Sequence, residues 1–231
     1  MALARTDMAE TAASRSNVYG LLAAVFRAEP SAAFLAQLKA REFASALDSL
    51  GLTLGHDLHD SPCEALAEDL AVEYARLFIG PGPHISPHES VNIEFPNPME
   101  ATLWGPQTVK VKKFIEAAGL EYEDSFTGMP DHISAELEFM QRLATKEAEA
   151  WAEPNEEFAV NILKIEKRFF DEHLSRWISR FCDKVVERSE HPFYMDFAQV
   201  TKGFVAYEDE TLQSVIAGTG SGEDDPNNRN R

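Results

Sequence analysis

The sequence contains few cysteines and no long apolar run. Only two of its 231 residues are cysteine, Cys63 and Cys182, and neither lies in a C-x-x-C pair. Two cysteines are too few for the disulfide framework of a secreted domain, so we expect a reducing compartment, with a single disulfide as the alternative. No apolar stretch approaches the roughly 20 residues that a membrane-spanning helix requires. We therefore predict a cytoplasmic protein without integral membrane contact.

The apolar stretch nearest the N-terminus, NVYGLLAAVF at residues 17–26, has some likeness to the core of a signal peptide. However, Asp7 and Glu10 precede it, and no A-x-A cleavage site follows. A secretory signal begins with basic residues and ends at small ones. We interpret this stretch as part of a helix.

Positive charge is also scarce. The chain has 21 lysines and arginines against 39 aspartates and glutamates, a formal net charge of −18. Nucleic acids and anionic membrane surfaces attract basic patches, so this balance argues against both as partners. A partner with basic residues is the better expectation.

Alternating β-branched runs are nearly absent, whereas apolar residues at helical spacing recur along most of the chain. The helical segments are predicted at residues 18–26, 31–47, 62–78, 101–118, 133–151, 158–186 and 193–207, with Ser31 and Pro62 as the start signals of the second and third. Periodicity is strong throughout residues 158–186, and Phe193, Phe197, Val200, Phe204 and Tyr207 form the predicted apolar face of the last helix. The predicted fold class is all-α, a helical bundle.

One segment breaks the helical pattern. Residues 80–98, GPGPHISPHESVNIEFPNP, contain five prolines and two glycines in nineteen residues, which is unusual for an ordinary connector. We predict a hinge or functional loop here, joining an N-terminal helical half (residues 8–79) to a C-terminal half (99–217) within a single domain (1–217). The polar residues 218–231 are predicted to be a disordered tail.

The stretch PDHISAELEFM at residues 130–140 begins another helix. Proline and aspartate suit a first helical turn, and Ile133, Leu137 and Met140 start a buried stripe. His132 and Glu136 then lie along one edge of that stripe, with Phe139. We expect this edge to lie at the margin of the core.

Metal and catalytic motifs are weak. His132 and Glu136 stand four residues apart, but the HExxH order is absent. Other sets could be proposed: His56, His59 and Cys63, or His84, His88, Glu89 and Glu94. None supplies a clear set of three or four ligands, so we predict no metal site.

Covalent catalysis and phosphate binding have no better support. The histidines near a cysteine, His56 and His59, share a predicted link with Cys63, and no G-x-S-x-G turn occurs. The GTGSG at residues 218–222 lacks the lysine of a phosphate-binding loop. We therefore predict no catalytic residues and no bound cofactor.

Several stretches, taken in order, resemble one family, the TorD/DmsD/NarJ-like cytoplasmic chaperones of molybdenum respiratory enzymes. RSNVYGLLAAVF is similar to the family's N-terminal helix, and EYARLFIGPGPHISPHESV is similar to its Gly-Pro-Gly segment and Pro-rich loop. MPDHISAELEFM resembles its Asp-His signature, and PFYMDFAQVTKGFVAYEDETL resembles its last helix. Together the matches span roughly residues 15–212.

The resemblance implies a TorD-like helical bundle that binds the twin-arginine signal peptide and the apo form of a molybdenum-cofactor oxidoreductase. Such a chaperone holds its client for cofactor insertion and proofreads its export. The acidic composition agrees with a leader that carries two arginines and an apolar core. No enzymatic turnover is implied.

Carried over by position, the resemblance implies two sets of residues. The leader-binding set is Asp131, His132, Glu136, Phe139, Tyr19, Tyr74 and Trp104. The hinge and pocket-loop set is Gly80, Pro81, Gly82, Pro87, His88, Glu89 and Ser90. This loop departs from the family at His88 and at residues 93–95, which bears on leader specificity.

Three alternatives stay open at this point. The first is a small helical hydrolase that uses His132 and nearby carboxylates. The second is a chaperone that responds to GTP, because GTP binding is attributed to some relatives. The third concerns oligomeric state, since a long hinge loop permits either a monomer or a domain-swapped homodimer.

Overall fold

The structure is a computed structural model, and it describes residues 5–40, 60–96, 101–120, 128–153 and 155–220. Within these ranges the chain is helical and forms no strand. The elements are α1 (Arg5–Arg27), α2 (Ala32–Lys39), α3 (Cys63–Tyr74), α4 (Glu89–Asn92), α5 (Pro106–Ala117), α6 (Ile133–Ala152), α7 (Glu156–Glu172), α8 (Ile178–Arg188) and α9 (Pro192–Gly220). The all-α prediction is confirmed.

Local sequence signals set several of the helix ends. The Ser31 side chain accepts a hydrogen bond from the Phe34 N–H at the start of α2, and Asn155 does the same for Phe158 at the start of α7. Such side chains satisfy N–H groups that have no partner inside the helix. After α5, Gly119 adopts a positive φ of 72°, which favours glycine. The predicted helix at 101–118 begins later than expected, at Pro106.

The core is built around α1 and α6, which pack against each other along much of their length. Gly20 lies at this crossing, where an added Cβ would collide with the side chain of Gln141. One connected cluster of buried apolar residues extends from Val18 on α1 to Leu212 on α9. The division into two halves around a hinge stays a prediction.

The buried face of α9 differs from the predicted one. Tyr207 is 56% exposed, and Val200 and Phe204 are only half-buried. The buried positions are Phe193, Tyr194, Phe197, Ala198, Thr201, Val205, Glu208 and Leu212. The predicted face is therefore correct at Phe193 and Phe197 and wrong by one position beyond them, because the helix turns the polar Thr201 and Glu208 inward.

The periodic segment 158–186 is not one helix. It breaks at His173, a short 3-10 turn follows at Leu174–Arg176, and α8 begins at Ile178. The apolar stripe nevertheless stays buried across the break, including Trp177. The break turns His173 and Trp177 inward toward the residues described below.

At the other end of the chain, α9 continues to Gly220. The predicted boundary of a disordered tail at residue 218 is therefore too early, and residues 221–231 lie outside the described residues. So do Phe43 and Leu47, which the sequence assigned to the second helix. No helix of the described ranges is both long and apolar enough to cross a membrane.

Candidate functional site

Much of the Pro-rich segment packs against the helices of the protein. Before it, α3 ends in a π-helical turn, Ala75–Ile79, and Ile85 N–H then donates to the Leu77 carbonyl at 2.7 Å. Irregular helical turns of this kind are frequent beside functional sites. Ile85, Ser90 and Asn92 are buried. Residues 85–93 are therefore part of the packed structure, whereas residues 81–84 are exposed.

Residues 87–90 pair with the start of α6, and we call this contact the loop–helix junction. His88 and His132 form an isolated antiparallel bridge. The Glu89 N–H donates to the Asp131 carbonyl and the Ile133 N–H donates to the Pro87 carbonyl, both at 2.9 Å. These bonds flank the two histidines, whose rings lie edge to face with centroids 5.0 Å apart. The junction brings together two segments that are about forty residues apart in sequence.

Asp131 is fully buried at this junction. Its Oδ2 accepts the Ser90 N–H at 3.0 Å, so it satisfies the first turn of α4 in the other segment. Its own helix is capped by His132, whose Nδ1 accepts the Ser134 N–H at 3.1 Å. Asp131 therefore does not cap its own helix. Its second oxygen, Oδ1, has no hydrogen-bond partner among the described residues.

Glu136 is also fully buried, so the expectation that this edge lies at the margin of the core is wrong. Its Oε2 accepts the Trp177 indole N–H at 3.0 Å, whereas Oε1 has no partner in the described structure. Burial raises the pKa of Glu136 well above its ordinary value, and the neighbouring charges of Glu89 and Asp131 add to this rise. The hydrogen bond from the Trp177 indole lowers the pKa of Glu136, but by less than burial raises it.

Glu89 completes what we call the acid cluster: Glu89, Asp131 and Glu136, each with no solvent exposure. Gln107 on α5 donates to Glu89 Oε1 at 2.8 Å, and Nδ1 of His173 lies 3.0 Å from Oε2. Elements distant in sequence thus converge on three carboxyl groups. Burying a carboxylate without full pairing is unfavourable, so this arrangement is not explained by stability alone.

The two histidines of the junction are poor proton acceptors. Burial, together with smaller effects of the neighbouring His88 and Arg27, lowers the pKa of His132 to about 3. Burial also lowers the pKa of His88, although the charge of Asp131 opposes this. His132 is therefore neutral at physiological pH and already uses Nδ1 as a helix cap. This does not suit the general base of a hydrolase, which needs a pKa near the working pH.

The remaining members of the predicted leader-binding set have different surroundings. Phe139 is buried against Phe169, with ring centroids 4.6 Å apart. The Tyr74 hydroxyl donates to the Phe26 carbonyl at 3.2 Å within the aromatic core. Trp104 is 66% exposed and has a positive φ of 58°, a strained backbone for a residue other than glycine. The structure brings Asp131, His132, Glu136 and Phe139 together, but it does not bring Tyr74 or Trp104 to them.

Tyr19 belongs to a second buried polar group, which the sequence analysis missed. Its hydroxyl donates to Glu208 at 2.7 Å, and Glu208 also accepts from the Arg15 guanidinium. Arg15 is only 3% exposed and also bonds Glu147 and Glu166. One arginine thus ties α1 to α6, α7 and α9. No signal in the sequence distinguishes these glutamates from the many exposed ones.

The far side of the loop is held by basic residues of α8, which sequence reasoning also missed. Arg180 donates to the Asn92 carbonyl at 3.1 Å and pairs with Glu94. Lys184 donates to the Asn92 side chain at 2.8 Å, and Arg188 donates to the Pro83 carbonyl at 2.8 Å. Several of these contacts are partly exposed and therefore individually weak.

No group of three or more histidine, cysteine, aspartate or glutamate side chains in the described ranges has the arrangement to hold a metal ion. His56 and His59 lie outside those ranges. The unpaired oxygens of Asp131 and Glu136, with the unpaired hydroxyl of Ser90, instead form a set of buried hydrogen-bond acceptors. Such a set suits a planar cation with several N–H donors.

Comparison with known proteins agrees with this helical architecture. The model of the nitrate reductase delta subunit family matches residues 33–183, which is more than half of the chain. The chain belongs to this family. It is the TorD/NarJ family that the sequence motifs resemble, so that expectation is confirmed.

Two relatives of the family are chaperones by name. A chaperone protein TorD from Shewanella pealeana is 27% identical over 219 residues, covering 87% of this chain and 91% of its own. A Tat proofreading chaperone DmsD from Salmonella typhimurium is 26% identical over 136 residues, covering 58% of each chain. The expectation of a chaperone rather than an enzyme is confirmed, and the hydrolase alternative is wrong.

A solved structure supports the fold. A redox enzyme maturation protein from Archaeoglobus fulgidus superimposes with a TM-score of 0.51 at 23% identity, covering 83% of this family member and 93% of the other chain. At this level of identity the likeness concerns the fold, and it confirms the TorD-like bundle.

Proposed function

We propose that this protein is a cytoplasmic chaperone that binds the twin-arginine signal peptide and the apo form of a molybdenum-cofactor oxidoreductase. It would hold this client until the cofactor is inserted and release it for export afterwards. The observation that supports the proposal is the acid cluster beneath the loop–helix junction, in which one oxygen of Asp131 and one of Glu136 have no partner among the described residues. The TorD and DmsD relatives support the same class of client.

The chemistry of a leader arginine matches this cluster. A guanidinium carries five N–H donors in a plane, and charge-assisted bonds to carboxylates are strong where water is excluded. Each buried polar group without a partner costs about 1–3 kcal/mol, which an arginine could recover by supplying the missing donors. Phe139 and the aromatic groups behind it would receive the apolar part of the leader.

Binding requires the loop to move, because Asp131, Glu89 and Glu136 have no solvent exposure. The contacts that close the site are the backbone bonds from residues 87 and 89 and the exposed ion pairs of α8. Gly82 is the best candidate pivot, since it is exposed and glycine allows a wider range of backbone angles than any other residue. The hinge role of Gly80, Pro81 and Gly82 is part of this proposal.

The first experiment is calorimetric titration with a twin-arginine leader peptide. Asp131→Asn and Glu136→Gln keep the shape of each side chain but remove its charge, and Glu138→Gln is the matched control because Glu138 is a partly exposed neighbour on the same helix. We expect the first two variants to weaken binding by about tenfold or more, as for a desolvated charge pair, and the control to leave it unchanged. A leader with lysines in place of both arginines should bind poorly to all proteins. Equal affinities for the three variants would contradict the proposed site.

A disulfide lock tests the loop movement. His88 and His132 are directly opposed between two flanking backbone bonds, the antiparallel position at which side chains lie closest. In a protein carrying His88→Cys and His132→Cys, oxidation should abolish leader binding and reduction should restore it. The reduced form is its own control. Unchanged binding in the oxidised form would show that the loop does not gate the site.

Nucleotide and oligomeric state are secondary parts of the proposal. The mechanism does not need GTP, so titration with GTP should leave leader affinity unchanged. A loop that opens also allows exchange of halves between two chains, and we expect slow interconversion of monomer and domain-swapped dimer. Light scattering after storage at high concentration would measure it, and a single species under all conditions would contradict it.

A further inference from the structure

A groove between α5 and α7 has a character opposite to the rest of this acidic protein. Its volume is about 870 Å³, which is within the usual range for a binding pocket. The apolar part is formed by Phe114, Ala117 and Ile165, and the rim carries basic residues. It lies outside the leader-binding set and touches the acid cluster only through Gln107 and His173.

Three lysines on this rim have no ion pair with any described residue: Lys110 and Lys113 on α5, and Lys164 on α7. Two acidic residues also line the groove, and each has a basic partner: Glu172 pairs with Arg168 at 2.8 Å and Asp171 pairs with Lys167 at 2.6 Å. Arg176 adds a further positive charge and donates to the Glu172 carbonyl. Like charges lining one groove repel each other. In a chain with a net charge of −18, such an uncompensated positive region indicates an anionic ligand.

The shape of the groove indicates an extended ligand. A second cavity of about 290 Å³ shares Lys164 and Arg168 with the first and continues to Ile216 on α9. Arg168 lies over the Phe114 ring, 5.0 Å from its centroid, and so divides apolar wall from basic rim. A single phosphate group would favour lysines that converge on one point. These lysines are instead spread over two helices.

We propose that this groove is a docking surface for an acidic polypeptide segment of a partner protein. Carboxylates of the segment would pair with Lys110, Lys113 and Lys164, and an apolar side chain would pack against Phe114 and Ile165. A twin-arginine leader has the wrong charge for this surface. The groove therefore serves a different segment from the one that the acid cluster binds, and the inference does not depend on leader binding.

The test uses the full chain and a fluorescent peptide of alternating glutamate and leucine, followed by anisotropy. Lys113→Glu and Lys164→Glu, combined, should weaken binding by about tenfold, the effect of removing a few exposed ion pairs and adding repulsion. Lys112→Glu is the matched control, since Lys112 lies on the same helix but pairs with Glu116 and does not line the groove. Raising the salt concentration should weaken binding to the unaltered protein.

Three outcomes would overturn the proposal. The first is equal weakening by Lys112→Glu, which would indicate a general charge effect. The second is equal affinity for a peptide in which glutamine replaces glutamate. The third is displacement of the peptide by GTP or inorganic phosphate at lower concentration than by unlabelled peptide, which would assign the groove to a phosphate-bearing ligand. Circular dichroism of each variant confirms that the helices are intact.

Discussion

The substitution Glu136→Gln should make the protein more stable and its leader binding weaker. Glu136 lies with Glu89 and Asp131 inside the protein, and one of its oxygens has no partner among the described residues. Glutamine has the same shape and can still accept the Trp177 indole N–H, which is now 3.0 Å from Oε2. The substitution therefore removes the ability of this side chain to carry a negative charge or to bind a proton.

The sign of the effect follows from the raised pKa of Glu136. The folded protein keeps a proton on this group at pH values where the unfolded chain has lost it. Stability therefore falls as the pH rises above about 4.3, the ordinary value for glutamate, and continues to fall until the folded pKa is reached. Glu136→Gln removes this loss, so its advantage is absent below about pH 4 and grows as the pH rises above that value. We estimate the gain at about 1–3 kcal/mol, the order of the desolvation penalty for a buried polar group, because the substitution removes the charge that burial disfavours.

Urea denaturation at a series of pH values measures this gain as a difference in the free energy of unfolding. The control, Glu138→Gln, should change stability by no more than about 0.5 kcal/mol because Glu138 is partly exposed. A Glu136→Gln protein that is less stable at neutral pH, or whose advantage does not depend on pH, would refute the reasoning. Increased stability with unchanged leader affinity would support the raised pKa of Glu136 but contradict its role in leader binding.

Three further predictions concern other parts of the structure. Arg15→Met should cost about 3–5 kcal/mol in urea denaturation because it leaves buried glutamates without their cation, and a loss below about 1 kcal/mol would contradict this. His132→Asn keeps a helix cap but removes a group whose pKa is lowered to about 3. Between about pH 3 and 6.5 the unfolded chain holds a proton on His132 that the folded protein lacks, so the free energy of unfolding rises with pH, and the variant should show a shallower rise. An unchanged slope would count against the lowered pKa. Trp104→Gly should be neutral or stabilising by about 1 kcal/mol, since glycine tolerates a φ of 58°, and a clear loss of melting temperature would show that Trp104 packs usefully. If Trp104 also binds the leader, titration of this variant will show weaker affinity without lower stability.

Much of the fold could be predicted from the sequence because helical information is local. The spacing of Ile133, Leu137 and Met140 places one face of α6 in the core, and Ser31 marks the start of α2. These signals act within one or two turns of the chain. They could not show that the helix through residues 158–186 breaks at His173, because the apolar stripe continues on both sides of the break.

The candidate site could be predicted only in part. The sequence singled out Asp131, His132 and the Pro-rich loop, but it gave no reason to connect Glu89 with His173, which are 84 positions apart. An aspartate before a helix is ordinarily a cap, and only the packed structure shows that Asp131 satisfies α4 instead. The local pattern pointed to Asp131 and His132, but it did not contain the distant residues that they contact.

The sequence by itself determined that the chain is helical, acidic and similar to the TorD/NarJ family, since these properties follow from residue spacing, charge and short motifs. The tertiary structure alone decided which carboxyl groups are buried. Arg15 with its three glutamates, and the acid cluster under the loop–helix junction, depend on helices that meet from distant parts of the chain. The physical reason is that a side chain is buried, or its charge compensated, only by contact with another segment. The sequence of one segment does not show which other segment that is.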